Sequence, residues 1–517
     1  MKKSRRNKKS KPASTRARTA PSRPRAPAKK NARRNSPAAA LYARLNGQVT
    51  LEAQADGSLA ASLGGYAIPI GRFSAAAIER AEDLRAGLAL NVFSGGGNAV
   101  EEEIGVLVRR LARSGLLEYP LKPRGARDRD IVVIEPQVPD YWPQAPKLAD
   151  GDRIALSRFA YLRRRSDEMV LESPRAGALF RIGEANVTST LATLTKPQTI
   201  AKIRRQDGFP GIELLALLLD CRILFKVEAG SDGLRADEGD DNLVLWDFHD
   251  LLFHARSTEG RQANPLGGLY PYADVIAPPP AVRPSWPGKK IDLGELATAV
   301  AEAETGFAKL LRARRSTRDF DSRHPITLAE LADFLDSTAR VLAKWQSPLD
   351  FGNGESGPLI DYTTRPYPSG GSSYELELYL AVDNCEGLAR GFYHYDADQH
   401  ALTPIEVRKQ DLETMLTAAE FAMDASGAPQ ILVTIAARFG RISWKYSALA
   451  YSLILKDVGV LIQTFYMAAA DMGLGGCAIG TNNIDLFARM TGLEFHVEGP
   501  VGQFAIGRGM QDKADRQ

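Results

Sequence analysis

Between residues 314 and 318 the chain reads Arg314-Arg315-Ser316-Thr317-Arg318. Three permanent positive charges and a hydroxyl at one turn suit the phosphate of a bound cofactor, because guanidinium groups meet phosphate oxygens through paired, charge-assisted hydrogen bonds. A solvated basic surface has the same composition, so the run gains meaning from its downstream company. Pro368-Ser369-Gly370-Gly371, Lys445-Tyr446 and Gly473-Leu474-Gly475-Gly476 come after it, in that order. The arginines stand at the end of a helix expected over residues 307–313, just before a capping signal for the next one.

The elements that must position these residues belong to a chain of ordinary globular composition, 44% apolar and 25% charged, long enough for several cores. Its net charge of +4 hides an asymmetry. Of the 66 Lys and Arg, 16 fall in residues 1–51, which hold no Asp or Glu, so the remaining 50 face all 62 acidic residues. Residues 1–36 have almost no large apolar side chain to offset their ordering entropy and read as a disordered basic tail. Such an arm attracts acidic partners or nucleic acid non-specifically, but an acidic body makes nucleic-acid binding an unexpected function. Cys221, Cys385 and Cys477 are far apart, and the six histidines show no metal-ligand spacing. The expectation is a reducing cytoplasm and no metal. The apolar run from Leu449 to Leu474 is broken by Lys456, Asp457 and Asp471, which argues against a membrane span.

Residues 41–122 and 152–230 read as two weak copies of one unit. Ile104/Ile212, Leu107/Leu215, Leu111/Leu219 and Leu116/Leu224 align without a gap, and the spacing is that of an amphipathic helix running through a turn into a strand. That is how a winged-helix-like α+β unit closes. Residues 243–290 form a connector containing Trp246 and the stretch Phe248-His249-Asp250-Leu251-Leu252-Phe253-His254, whose histidines read as packed or hydrogen-bonded rather than catalytic. The last domain spans 291–512. It includes a capping box at Thr327–Glu330 with a buried face of Leu328, Leu331, Phe334 and Leu335, and strands near 376–382, 391–395, 431–436 and 503–506. A helix apolar on most sides is expected from Tyr446 to Met472, ended by Gly473. Strands mixed with long helices make the fold class α+β, with an antiparallel-rich sheet around the long central helix.

The order Arg-Arg-Ser-x-Arg, Pro-Ser-Gly-Gly, long helix, Gly-Leu-Gly-Gly resembles the FMN-dependent nitroreductase superfamily over residues from about 305 to 510. Within it the chain is similar to the SagB-type peptide azoline dehydrogenases, through Lys445-Tyr446 and the segment Trp246 to Arg261. The resemblance implies a flavoenzyme that oxidises thiazoline or oxazoline rings of a ribosomally made precursor peptide to azoles. It also implies a homodimer, a cyclodehydratase partner, and peptide recognition by the two amino-terminal units.

On that resemblance Arg314, Arg315 and Arg318 hold the FMN phosphate, and Ser316 donates towards the ribityl or flavin oxygens. Pro368, Ser369, Gly370 and Gly371, with Gly473, Leu474, Gly475 and Gly476, bring backbone close to the flavin, and Arg508 is a further phosphate ligand. Lys445 and Tyr446 become the catalytic pair. Aromatising an azoline removes a hydride and a proton from adjacent ring carbons, and a lysine depressed by burial, or a tyrosine made more acidic by it, is a suitable base. The same two residues also fit an amphipathic helix start with no chemistry. Two other functions share some of these motifs: an NAD(P)H-dependent nitro or quinone reductase, and a non-catalytic scaffold that delivers a peptide. The loop Pro-Ser-Gly-Gly-Ser-Ser and the stretch Leu449-Ala450-Tyr451-Ser452 depart from the pattern of relatives, which have Ala in the loop and an Arg after the Lys-Tyr pair.

Overall fold

The computed structural model describes residues 39–510 apart from 55, 64–65, 91–98, 124–128, 139, 210, 228–237, 239, 259–272, 274, 284, 286, 294–304 and 351–355. The basic tail, much of the connector and the last residues of the chain lie outside the described residues.

The amino-terminal half uses one element order twice. Strand β1 (Ala39–Leu45) leads into a meander of β2 (Val49–Ala53), β3 (Ser58–Leu63) and β4 (Tyr66–Arg72). Helix α1 (Ala75–Ala81), the two-residue strand β5 (Leu88–Ala89), helix α2 (Ala99–Arg113) and strand β6 (Leu117–Pro123) complete the unit. The second unit runs β8 (Arg153–Leu156), a meander of β9 (Tyr161–Arg165), β10 (Glu168–Glu172) and β11 (Ala178–Ile182), α3 (Ala185–Thr193), the two-residue β12 (Gln198–Thr199), α4 (Ile200–Ile203), α5 (Ile212–Asp220) and β13 (Leu224–Lys226). In both, the first strand lies between the two-residue strand and the closing strand: β1 pairs with β5 and β6, and β8 pairs with β12 and β13. Side chains alternate inward along β1, where Ala39, Leu41, Ala43 and Leu45 are buried. Ile104, Leu107 and Leu111 of α2, and Leu214, Leu215 and Leu218 of α5, enter one shared core.

The two copies are joined by β7 (Val132–Pro136), which pairs with β6 on one side and β11 on the other. The result is a single seven-stranded sheet, ordered β5-β1-β6-β7-β11-β10-β9, running through both units. Phe159, from the second unit, packs instead in the core of the carboxy-terminal half.

That half has two small pairings, β14 (Ile326–Thr327) with β18 (Cys385–Glu386) and β15 (Ala343–Asp350) with β16 (Ser356–Thr364). It is built on a six-stranded antiparallel sheet in the order β20-β19-β17-β21-β23-β22, comprising β17 (Leu376–Val382), β19 (Gly391–Asp396), β20 (Ala401–Ile405), β21 (Ile431–Arg438), β22 (Gly475–Ile479) and β23 (Glu498–Gly507). Strand alternation gives the sheet two apolar faces. Leu376, Leu378 and Leu380 of β17 face the long helix Ala450–Asp471, meeting Ile454, Leu461 and Phe465. Tyr379 and Ala381 face the other way, towards Leu412, Leu416 and Phe487 of helices Lys409–Met423 and Ile484–Thr491. The connector docks through helix Phe248–Ser257. His254 is fully buried with its Nδ1 3.1 Å from the Tyr451 hydroxyl, and the Trp246 indole donates to the carbonyl of His496 at 2.8 Å. His249 is exposed, beside Asp247.

Two details differ from the expectations of sequence. The Thr327 capping box forms as expected, and Leu331, Phe334 and Leu335 are buried, but Leu328 is 37% exposed because the first helical residue faces outward at the cap. The central helix starts at Ala450, not at Tyr446. A separate short helix, Phe439–Ser443, precedes it, and Ala448 with φ +51° breaks the path between the two. Lys445 and Tyr446 therefore occupy an interhelical link, where a side chain is freer to reach sideways than on a continuous helix.

Candidate functional site

The loop between β16 (Ser356–Thr364) and β17 contains the Pro368-Ser369-Gly370-Gly371 motif, and the structure places it against Lys445 and Tyr446. Gly371 has φ +61°, and a Cβ there would lie 2.4 Å from the Tyr446 hydroxyl and 2.7 Å from Lys445 Nζ. Glycine is thus required twice, by backbone conformation and by the approach of the pair. Lys445 Nζ donates to the Gly371 carbonyl at 3.0 Å and stands 5.5 Å from the centre of the Tyr446 ring. Lys445 is exposed and Tyr446 half-buried, so the buried lysine expected from sequence is not found within this chain.

Below the loop lies a polar anchor that sequence reasoning missed. Asp457, on the central helix, accepts the Gly370 N–H at 2.8 Å and the Ser369 hydroxyl at 2.9 Å. Glu375 approaches the same hydroxyl at 3.3 Å, and burial pushes its carboxyl up to about 7, with the Asp457 charge adding to the effect. The available signal was Asp457 itself, one of three charges that break the apolar run from Leu449 to Leu474. From the other side Arg441 donates through Nε to the Ser373 carbonyl at 2.9 Å and also reaches the Asp361 carbonyl, tying the loop to β16. A pocket of about 400 Å³ opens here, lined by Tyr362, Gly371, Arg441, Trp444 and Lys445 among others. An apolar aromatic wall with a few convergent polar groups is the usual make-up of a small-ligand site.

The arginine run lies further along the same helix. Ser316 Oγ is 2.9 Å from the Tyr466 hydroxyl, which in turn accepts the N–H of Ala478 at 2.8 Å. The Arg314 guanidinium lies 5.0 Å from the centre of the Tyr466 ring, and Arg315 and Arg318 are exposed. Thr317 N–H donates to the Gly476 carbonyl at 2.8 Å, fixing the run beside β22. The donor types fit an anionic phosphate: exposed guanidiniums on a run held in register by a serine hydroxyl and a threonine backbone contact.

The second glycine motif meets the chain's own side chains. A Cβ on Gly475 would lie 2.6 Å from Thr317 Cγ2, and one on Gly476 2.3 Å from Phe504 Cζ. The chain's own packing demands both glycines. Gly473, at φ +69°, comes after the central helix in the left-handed conformation, and Leu474 is buried. Arg508 has a partner within the chain. Its guanidinium donates to both carboxylate oxygens of Glu330, at 2.7 and 2.9 Å. Asp457 and Tyr466 are nine residues apart, roughly 13–14 Å of helix rise. One helix therefore carries two separated clusters, the loop with Lys445-Tyr446 near its start and the arginine run near its end.

Residues 311–508 match the nitroreductase family. The likeness is to a nitroreductase-type domain over that stretch. Residues 154–263 match the cyanobactin oxidase ThcOx, a stretch that takes in the second amino-terminal unit and the connector helix. A nitroreductase homologue of Methanocaldococcus jannaschii is 29% identical over 177 residues, 34% of this chain and 79% of that protein. The microcin B17-processing protein McbC of Escherichia coli is 29% identical over 127 residues, 24% of this chain, and the match spans 46% of McbC, less than half its length. Among solved structures, the E. coli microcin synthetase McbBCD complex with truncated pro-MccB17 bound aligns with a TM-score of 0.36 at 18% identity, over 55% of this chain and 99% of that one.

Proposed function

We propose that the chain is an FMN-dependent, SagB-type dehydrogenase that oxidises thiazoline or oxazoline rings in a ribosomally made precursor peptide to thiazoles or oxazoles. The observation that carries this reading is the meeting of Lys445 and Tyr446 with Gly371 at the mouth of an aromatic-walled pocket. The matches to a cyanobactin oxidase and to a microcin-processing protein support a peptide substrate over a free nitro compound.

Arg314, Arg315 and Arg318 with Ser316 would hold the FMN phosphate, and the Pro368–Gly371 backbone would border the ring. Bound FMN would supply the acceptor for the hydride. The proton from the neighbouring carbon falls to Lys445 or Tyr446, whose polar atoms lie close enough to Gly371 to act as one unit at the pocket. Trp444 and Tyr362 offer flat apolar surface for a five-membered heterocycle. The separation of the two clusters along the helix supports a homodimer in which one chain's loop completes its partner's flavin site. The amino-terminal pair of units serves precursor recognition, a cyclodehydratase supplies the cyclised peptide, and the setting is cytoplasmic.

Mass spectrometry of a cyclised precursor peptide incubated with the protein and FMN tests this reading. Loss of two hydrogens per ring is expected with the native chain, and none with Lys445→Ala/Tyr446→Phe that still binds flavin. Unchanged peptide mass alongside steady NAD(P)H-dependent nitroaromatic reduction would replace the proposal with a general reductase.

A further inference from the structure

Two carboxyl groups lie buried beneath the glycine loop: Glu375 is 0% exposed and Asp457 6%. Both approach one hydroxyl, that of Ser369, at 3.3 and 2.9 Å. The hydroxyl carries a single proton and also accepts the Tyr374 N–H at 3.0 Å. Asp457 Oδ2 additionally takes the Gly370 N–H. If the Ser369 proton goes to Asp457, the shorter contact, the remaining contact needs a second proton, and only a carboxyl can provide it. Two adjacent buried carboxylates would otherwise repel in a medium of low polarity, and among the described residues no other residue donates to Glu375 Oε1.

We infer that Glu375 and Asp457 are positioning residues for the glycine loop, clasping Ser369 and Gly370 through one shared proton so that the loop stays seated under Lys445 and loosens when that proton leaves. Its bearing on catalysis rests on the proposed site, but the clasp is a property of the chain alone.

Among the described residues, the other ionisable groups around the pair do not supply a neutralising partner. Arg365 spends Nη1 on the Leu376 carbonyl. Arg438 meets Glu375 only through its backbone N–H, while its guanidinium pairs with Glu377. The buried Tyr367 phenol is itself pushed up by burial and feels both acids, and Lys445 is engaged above the loop with the Gly371 carbonyl. Glu377, on the same strand as Leu376, is held low against its own burial by His394, Arg365 and Arg438.

The sign comes from linkage. A carboxyl raised from 4.5 to about 7 in the seated loop favours that state fully below pH 4.5, and the advantage is lost as pH rises towards 7. Loop opening should therefore become easier by up to about tenfold per pH unit across this window and level off above it.

Hydrogen exchange of residues 367–376, measured on the full flavin-free chain from pH 5 to 9, tests the clasp independently of any activity. Intrinsic amide exchange itself rises about tenfold per pH unit, so the native loop should exceed that slope below pH 7 and return to it above. Glu375→Gln, neutral at every pH and still able to donate to Ser369, should keep to the intrinsic slope throughout. A native loop that tracks the intrinsic slope over the whole range, or a Glu375→Gln chain with the native curve, would overturn the inference. Should the variant not fold, the native profile decides alone.

Discussion

Near Asp457 the central helix meets a loop in which Ser369, Gly370 and Gly371 are each bonded to a partner within the chain. Near Tyr466 it meets a run whose serine and threonine are fixed while Arg315 and Arg318 stand exposed. The first region is organised before anything binds, as a proton-transferring site needs to be, because geometry lost there is not regained from the substrate. The second presents guanidinium groups at the surface, a residue type suited to a bound dianion. Chemistry and affinity are thus expected to separate by mutation.

The sharpest break in that comparison comes from Gly371→Ala. It strains a left-handed position and drives a methyl group into Tyr446 and Lys445. Azole formation should fall by about 10²–10⁴-fold, the range of a lost acid–base pair, while flavin stoichiometry measured by absorbance is retained. At the other end, Arg318→Ala or Arg315→Ala should weaken FMN by roughly ten- to a hundredfold, since a charged hydrogen bond contributes about 1.5–3 kcal/mol. Turnover at saturating FMN should be nearly unchanged. Titration and steady-state kinetics together separate the two patterns.

Two substitutions sharpen the comparison by falling outside it. Gly476→Ala presses on Phe504 and should cost about 1–3 kcal/mol of folding stability, seen as a lowered Tm, with binding and turnover declining only in step with the folded fraction. Arg508→Ala should leave FMN affinity alone. It removes a bidentate but partly exposed pair with Glu330, at a cost of about 1 kcal/mol or less in chemical denaturation. A large fall in FMN affinity would return Arg508 to the phosphate site.

How much the sequence made legible depends on how local each signal is. The capping box at Thr327, the left-handed Gly473 and the alternation of β17 each depend on a few adjacent residues, and all form as read. The matching of Ile104 with Ile212 and of Leu116 with Leu224 pointed to paired helix–turn–strand units. It did not point to β7 joining them into one sheet, because a strand's partners on either side are chosen by tertiary packing and leave no mark in its own residues. At the site, the glycines at 370–371 and at 475–476 look alike in sequence. Only coordinates show that Gly371 meets Lys445 and Tyr446 while the second pair meets Thr317 and Phe504. Asp457 and Glu375 were hidden for the same reason: an acidic residue reads as surface until its burial is known.

The central claim, that a hydride leaves an azoline ring for a flavin held by this chain, is tested most directly by anaerobic single turnover. The FMN-loaded protein is mixed with a cyclised precursor peptide in the absence of oxygen and of NAD(P)H, and the visible flavin band is monitored. The band should bleach in proportion to the rings oxidised, and in Lys445→Ala/Tyr446→Phe it should persist. A band that stays at full height while the native protein holds both flavin and peptide would contradict the account.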